Sequence, residues 1–452
     1  MLELGRSSEV RKLVMALKNS RIPLGRADAL ATLAIREVRQ AGLPAEDVLA
    51  VGGLRRCAPA LEGAALLVLA TDTVHAELLF GLARLPLVRS TIAVSETSLR
   101  AVTERGLLDI HVASPEAAGA ALVWHTGTRR HTTWLHKRAS SMGLAFRDGR
   151  LNRSDAPLTI LDEHEFYMVL DLPYIPPELR EGGDEIAAAE GGRLPSLVST
   201  AHVRGDLHMH TTWSDGRDSI RTMAQTARQL GHEYIAITDH SERSWSSRRL
   251  LRPEIGLQRE EIDTVRSQTP DIEILHGVEV DIMPDGSLDF GNDELARFDI
   301  VLASLHDAHG HDGTRLTERY LKAIQHPLVN VITHPANRSP AVSDGYDLDY
   351  DRLFRAAVET GTAMEVDGSP THLDMDGRLA RRAAEAGVTI VISSDGHRAD
   401  ALGRQMAFGL GTARRGWVGP DQVLNTRGVQ EVRDFVARKR VGWHSPKPPG
   451  VS

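Results

Sequence analysis

Cysteine is almost absent: the chain of 452 residues holds one, Cys57. A lone thiol excludes an intrachain disulfide framework and fits a reducing compartment. No apolar run reaches the ~18 residues that a membrane-spanning helix needs. A positive balance is missing too. The formal net charge of -8 argues against a protein held on nucleic acid by a globally basic surface, while leaving local basic clefts open. The opening Met1-Leu2-Glu3-Leu4-Gly5 leads into a charged amphipathic stretch, not a signal peptide. What is present is ordinary for a soluble globular protein: 41% hydrophobic and 25% charged residues. The length predicts two or three domains with sizeable cores, and the expected location is cytoplasmic.

The first half reads as a small mixed α/β domain. Apolar spacing predicts helices over 7–19 and 25–41, punctuated by Pro23 and Gly25. Strand candidates are Val48–Val51, Ala64–Leu69 and Leu108–Val112, and an alanine-rich helix is expected from about Pro115 to Trp124. Gly182-Gly183, Gly191-Gly192 and Pro195 surround a polar, alanine-rich stretch that reads as a linker or exposed arm. The expected division is 1–194, a linker at 195–202, a second domain at 203–442 and a tail at 443–452.

In the second half, strand candidates alternate with helical stretches such as Ile220–Leu230 and Leu353–Thr360. The strands are Tyr234–Thr238, Glu273–His276, Ile300–Ser304, Val329–Thr333, Thr362–Val366 and Val388–Ile392, preceded by Gly205-Asp206-Leu207-His208-Met209-His210. Such alternation implies a parallel sheet, and about seven units suggest a closed α/β barrel, with chemistry gathered at the strands' C-terminal ends. Those ends carry His208 and His210, Asp215, His240, Glu279, His306, His334, Asp395 and His397. Two histidines two positions apart on a strand project to one face. A lone pair of this kind is weak in a chain with 20 histidines. Nine His, Asp or Glu residues recurring at one topological position point to metal ligation.

The first half resembles the palm and thumb of a family X DNA polymerase. Gly52-Gly53-Leu54-Arg55-Arg56, then Gly63 before an apolar strand, is similar to that family's Gly-Ser-x-Arg-Arg turn followed by Gly-Asp-x-Asp. Asp109 matches the family's third carboxylate. Thr126-Gly127-Thr128 with His131, and Leu172 to Glu181, resemble later palm and thumb segments. Gly53 replaces the serine, and Ala64 and Leu66 stand in the two carboxylate positions. Two-metal nucleotidyl transfer needs oxygen ligands, so no polymerase activity is expected; the lyase and finger regions are also expected to be missing. What survives is either a scaffold for DNA ends or nucleotides or a packing remnant.

Residues 203–440 resemble the PHP (polymerase and histidinol phosphatase) family, and in particular PHP domains fused behind bacterial family X polymerases, which Thr412–Trp417 and Leu424-Asn425-Thr426 also match. The fold implied is a distorted (β/α)7 barrel. The resemblance implies three metal ions: one on His208, His210, Glu279 and Asp395, a second on Glu279, His306 and His334, and a third on Asp215, His240 and His397. Of these, His208, His210, Glu279 and Asp395 carry the catalytic role. Imidazoles with carboxylates suit Zn²⁺ or Mn²⁺ better than Ca²⁺ or Mg²⁺. The reaction expected is hydrolysis of a phosphoester by metal-activated hydroxide, with no Ser or Cys nucleophile.

Arg338 resembles the family's substrate-side arginine, and Arg414 and Arg415 are candidates for phosphate contact or for surface ion pairs. Asp206 and Asp239 are candidates to orient imidazoles, with turn capping an equal alternative. Glu365 fits a role at the barrel mouth without being a ligand. His309 and His311 read as solvated loop residues. Ser244–Arg252, with Trp245, Arg248 and Arg249, reads first as an exposed loop and second as a nucleic-acid lip. The expected substrate is a DNA 3' end, processed by a 3'-5' exonuclease or 3'-end phosphoesterase. The alternatives are a phosphatase on a small phosphomonoester and a non-catalytic DNA-binding repair scaffold.

Overall fold

The computed structural model describes residues 21–244 and 246–441. The chain falls into two compact units, Met1–Leu194 and Pro195–Ser452. The helix expected over 7–19, Trp245 and the tail 443–452 lie outside the described residues. Among the described residues, no helix is long and apolar enough to cross a membrane.

In the first unit, the helix Leu24–Gln40 buries Leu24, Ala27, Leu30, Ala31, Ala34 and Val38, the single stripe of an amphipathic helix. The unit's main sheet comprises β1 (Asp47–Val51), β2 (Gly63–Leu69), β3 (Ser90–Val94), β4 (Ser98–Thr103) and β5 (Gly106–Ala113), in the order β1-β2-β5-β4-β3. Only the β2–β5 pair is parallel. Its register places Ala65 opposite Asp109. Paired residues share a face and neighbours along a strand alternate. Ala64 and Leu66 therefore face away from Asp109, 1% and 0% exposed in the core. Gly63 and Ala65 occupy the Asp109 face instead, and a Cβ on Gly63 would lie 2.1 Å from the Leu107 carbonyl oxygen. No carboxylate from β2 accompanies Asp109, whose side chain meets Arg100 at 3.3 Å.

The arginines of the Gly-Gly-Leu-Arg-Arg turn are held within the unit. Arg55 donates both Nη atoms to the Glu163 carboxylate at 2.6 Å, Arg180 donates to the same carboxylate, and Arg56 donates to the Thr126 carbonyl and to Glu181. The segment expected as a linker or arm is a packed helix, Asp184–Glu190. Its Glu185, 2% exposed, accepts from His131 Nδ1 at 2.9 Å and from the amides of Gly182 and Gly183 at 2.6 Å. Residues 195–202 are not a free tether either. Leu197 and Val198 are buried, and the Val198 amide donates to the Val418 carbonyl at 3.0 Å.

The second unit is a parallel barrel of seven strands in sequence order: β6 (Gly205–Asp206), β7 (Tyr234–Ile237), β8 (Glu273–Asp281), β9 (Ile300–Ser304), β10 (Val331–Ile332), β11 (Ala363–Asp367) and β12 (Ile390–Ser393). β8 runs five residues past the expected His276, so Glu279 sits inside a strand. Between β6 and β12 there is no full ladder. Met209 bridges Gly396, the His210 amide donates to the Gly396 carbonyl at 2.9 Å, and Asn425 crosses the gap. Fully buried, Asn425 donates Nδ2 to the carbonyls of Gly205 (2.8 Å) and Ile392 (2.7 Å) and accepts from the Ile392 amide (3.0 Å).

Candidate metal centre

Past β6 the backbone alternates. Leu207 and Met209 enter apolar clusters, which turns His208 and His210 the other way, with their Nε2 atoms 3.1 Å apart. The chain after β12 returns Asp395 to the same point: its Oδ1 is 3.2 Å from His210 Nε2 and 3.6 Å from His208 Nε2. Glu279 lies at the centre. Oε2 is 3.5 Å from His208, 3.6 Å from His210 and 2.8 Å from His240, while Oε1 is 2.9 Å from His334 and 3.7 Å from His306. On the third side, Asp215 is 3.6 Å from His240 and 3.2 Å from His397. Donor atoms that share a tetrahedral ion at bonds of ~2.1 Å stand roughly 3.4 Å apart. The spacings here fit that requirement. Three sets of donors, His210 with Asp215, His240 and His397, His208 with His210 and Asp395, and His240 with Glu279 and His306, each lie within 4.8 Å of one another.

Glu279 Oε2 is buried and makes no well-aligned hydrogen bond, with His240 Nδ1 2.8 Å away, a costly state for a polar group unless another ligand satisfies it. Charge follows suit. Burial pushes the Glu279 carboxyl up, but His240, His208 and His306 outweigh it and hold the group well below the usual carboxylate range. Burial, with His240 and His397 beside it, takes His210 down to about 3, leaving a neutral imidazole. Against burial, Glu279 and Asp281 hold His306 up to about 9, and Asp215 and Asp395 do the same for His397. His334 and Asp395 adopt positive φ, 25° and 49°, a backbone state that costs on the order of 1–3 kcal/mol and gathers where function over-determines the geometry.

Second partners fix the rings. His208 Nδ1 donates to Glu365 at 2.7 Å, His306 Nδ1 to Asp281 at 2.9 Å, and His397 Nδ1 to the Asp395 carbonyl at 3.0 Å. In each ring this turns Nε2 to the cluster as the nitrogen that gives up its proton when metal binds, the arrangement by which outer carboxylates and carbonyls set a metal-binding tautomer. Glu365 thus acts at the barrel mouth through His208. Asp281 escaped the sequence reading, although its position two residues past Glu279 on one strand puts both on one face. Asp206 and Asp239 take the capping role. Asp206 accepts from the amides of His208 and Ser394. Asp239 accepts from Thr211, Ser214 and Gln258, closing the turn after His210.

The profile of the PHP domain matches residues 206–345, and that of the DNA polymerase beta thumb matches 121–181. A probable phosphatase of Thermoanaerobacter sp. (strain X514) is 30% identical over 246 residues, which are 52% of this chain and 95% of that protein. The chain belongs to the PHP family. As a PHP protein it is a hydrolytic phosphoesterase. The DNA polymerase/3'-5' exonuclease PolX of Bacillus subtilis (strain 168) is 34% identical over 376 residues, 82% of this chain, and the chain spans 65% of that relative's length. A crystal structure of Leishmania infantum polymerase beta in a ternary P/T complex aligns with 40% of this chain and 84% of its own, at 16% identity and a TM-score of 0.34.

The arginines expected at the substrate lie elsewhere in this PHP barrel. Arg338 is buried, donating to the Leu373 carbonyl at 3.4 Å with Asp376 at 3.8 Å. Arg414 and Arg415 end the helix Leu402–Arg415. Gln405, in its first turn, lines the metal cavity, so a rise of ~1.5 Å per residue carries Arg414 about 13 Å along the axis from that level. Arg414 there donates to the Val198 carbonyl at 2.9 Å. The structure brings none of the three to the cluster. His309 is exposed beside Asp307, as a loop residue. Of the Ser244–Arg252 stretch, Ser244 and Ser246 line the cavity, and Arg249 is turned back onto the Ser244 carbonyl at 3.3 Å.

Proposed function

We propose that this protein shortens DNA from its 3' end by metal-dependent phosphodiester hydrolysis. The observation that carries the reading is the convergence of the nine predicted ligands on one cluster at the strand ends, seven of which line a cavity of about 470 Å³ while His208 and His210 lie buried behind it. His208, His210, Glu279 and Asp395 would hold one divalent ion, Glu279, His306 and His334 a second, and Asp215, His240 and His397 a third. Nitrogen-rich donor sets with few carboxylates and no thiolate suit Zn²⁺ or Mn²⁺. When bound, such ions lower the pKa of water and offset charge on phosphoryl oxygens. The chain's own groups do the rest. Glu279 keeps its carboxylate ionised between two ligand sets, and Glu365 and Asp281 keep His208 and His306 in the ligating tautomer.

The likeness to the Bacillus subtilis protein, whose name includes a 3'-5' exonuclease, supports DNA as substrate. The same architecture supports the absence of polymerase activity, because the sheet face around Asp109 lacks the oxygen ligands that nucleotidyl transfer uses. The test is a labelled single strand incubated with Mn²⁺ and with Zn²⁺. Progressive loss from the 3' end is expected, with both hydrolysis and bound metal abolished in His208→Ala and Glu279→Ala. A second reading, a phosphatase on small phosphomonoesters, is favoured by the probable phosphatases that the barrel resembles along nearly their whole length. Phosphate release from small monoesters with DNA left intact would decide for it.

A further inference from the structure

His306 is carried by a loop. β9 ends at Ser304, and the chain from Leu305 to Asp312 is neither helix nor strand. The ring is 20% exposed, against 2% or less for His208, His210 and His334, so packing alone does not set its angle. Asp281 sets it, with Oδ1 accepting from His306 Nδ1 at 2.9 Å. That contact spans two strand ends whose ladder is running out. The last pair between β8 and β9 is Asp281 with Ser304. The Ile282 amide still reaches the Ser304 carbonyl at 2.8 Å, and among the described residues no main-chain hydrogen bond joins the two ends beyond it.

One side chain bridges them there. Arg319, on the helix Gly313–Gln325, is 2% exposed. Its Nη1 donates to the Asp307 carbonyl at 2.9 Å, Nε to the Met283 carbonyl at 2.9 Å and Nη2 to the Ile282 carbonyl at 2.5 Å. Two of these acceptors directly follow Asp281, and the third directly follows His306. Among the described residues, its hydrogen-bonding partners are these carbonyls alone, and no carboxylate pairs with it. A buried cation without a counter-charge is costly, and a neutral side chain would fill the same space at less cost. What arginine alone supplies is a planar fork of donors in fixed geometry, able to hold two chain segments at one spacing. Lys322, on the same helix, gives the contrast: it donates to the Asp285 carbonyl at 2.6 Å, an anchor on the β8 side only.

We infer that Arg319 is a positioning residue of the metal centre, holding the ends of β8 and β9 at the spacing that lets Asp281 aim His306 Nε2 at the site it shares with Glu279. Arg319 touches neither metal nor substrate and acts through the Asp281–His306 contact. The inference rests on the ligand assignment proposed above and is independent of which phosphoester is cut. Without the fork the two strand ends lose their common anchor, Asp281 releases Nδ1, and the ring leaves its ligand set while the barrel stays folded.

The experiment is a double-mutant cycle on the full-length protein, with Mn²⁺ affinity read by competition with a chromophoric chelator. Arg319→Lys keeps the charge and loses the fork. It should weaken the least tightly held ion by about tenfold, the lower end of what lost outer partners of a metal ligand cost, and Asp281→Ala should weaken it at least as much. Added to Asp281→Ala, Arg319→Lys should cost less than about twofold more, because its route to the ligand is already cut. Lys322→Ala should leave the affinity at the wild-type level. If Arg319→Lys does not fold, Arg319→Gln, neutral and cheaper to bury, takes its place in the cycle. Unchanged affinity in the Arg319 variant, losses that add in the double variant, or an equal loss in Lys322→Ala would overturn the role. A wild-type protein that takes up neither Mn²⁺ nor Zn²⁺ would instead overturn the ligand assignment itself.

Discussion

Three donors converge on the fully buried carboxylate of Glu365: His208 Nδ1, the His334 amide at 2.8 Å, and the Ser393 hydroxyl. Its role is to orient, since its oxygens are spent on the non-ligating nitrogens of His208 and His334 and on the Ser393 hydroxyl. Burial works to strip the proton from His208, but Glu365 first, then Glu279 and Asp395, outweigh it and hold the imidazole above its ordinary range. Glu365→Gln keeps the shape and loses the charge. Metal affinity should fall by about 10- to 100-fold, measured by competition with a chromophoric chelator, with far-ultraviolet circular dichroism unchanged. His208→Ala removes the ligand itself and should lose more. Equal affinities in wild type and Glu365→Gln would refute the orienting role. A different role falls to Glu163, caught between Arg55 and Arg180 in the first unit. Burial raises its carboxyl, and the two arginines more than reverse that, to about 2. Its folded value lies below the ordinary 4.5, so the stability it contributes is complete above that pH and is lost as pH falls towards 2. Glu163→Gln leaves Arg180 buried without its counter-charge. It should cost about 3–5 kcal/mol near neutral pH and flatten the acid limb of urea-unfolding midpoints plotted against pH.

Secondary-structure elements separate what residue patterns reveal from what they hide. The barrel strands were legible because short apolar runs alternate with helical stretches, and the ligands because each follows such a run. Strand ends were less so: β8 continues through Gly277-Val278-Glu279-Val280-Asp281, past the apolar run that marked the candidate, with Glu279 and Asp281 on one polar face. Facing was hidden in β2. With apolar residues on both sides of Gly63–Leu69, no period-2 signal tells one face from the other, and a one-residue slip exchanges them. The register opposite Asp109 settles it. β2 brings no carboxylate to that face, and Asp109 and the neighbouring Glu62 are both tied to Arg100, so primer extension with Mg²⁺ or Mn²⁺ should give no product, and Asp109→Ala should leave 3'-end hydrolysis at the wild-type rate. Composition misled at Asp184–Glu190, where glycines on both flanks suggested a tether; the buried partner of Glu185 is His131, 54 residues away in sequence, a contact no local window contains. Arg414 and Arg415 illustrate the converse. A basic pair fitted phosphate contact and surface ion pairing equally well in sequence, and helical rise carries it away from the metal cavity.

For the molecule as a whole, metal and protons compete for the same lone pairs. Without metal, His306 and His397 hold their protons up to about 9, and a ligating imidazole must be neutral. Affinity for Mn²⁺ should therefore climb as pH rises from about 6.5 to 9, with proton release visible when titration calorimetry is repeated in buffers of different ionisation enthalpy. A pH-independent affinity across that window would contradict it. Stability has the opposite sign. Both groups are raised above their unfolded value, so they stabilise the metal-free protein fully below about 6.5 and lose that contribution as pH passes 9. The metal-free Tm should decline over this interval, and loading should restore it.

Asn425 lies 28 positions beyond His397, the last of the nine ligands, and its amide stitches together the two strands that the ladder leaves open. A chain ended just after Arg415 would keep every metal-binding side chain and still lack the clasp that brings His208 and His210 beside Asp395. Such a shortened protein should bind metal poorly and hydrolyse nothing.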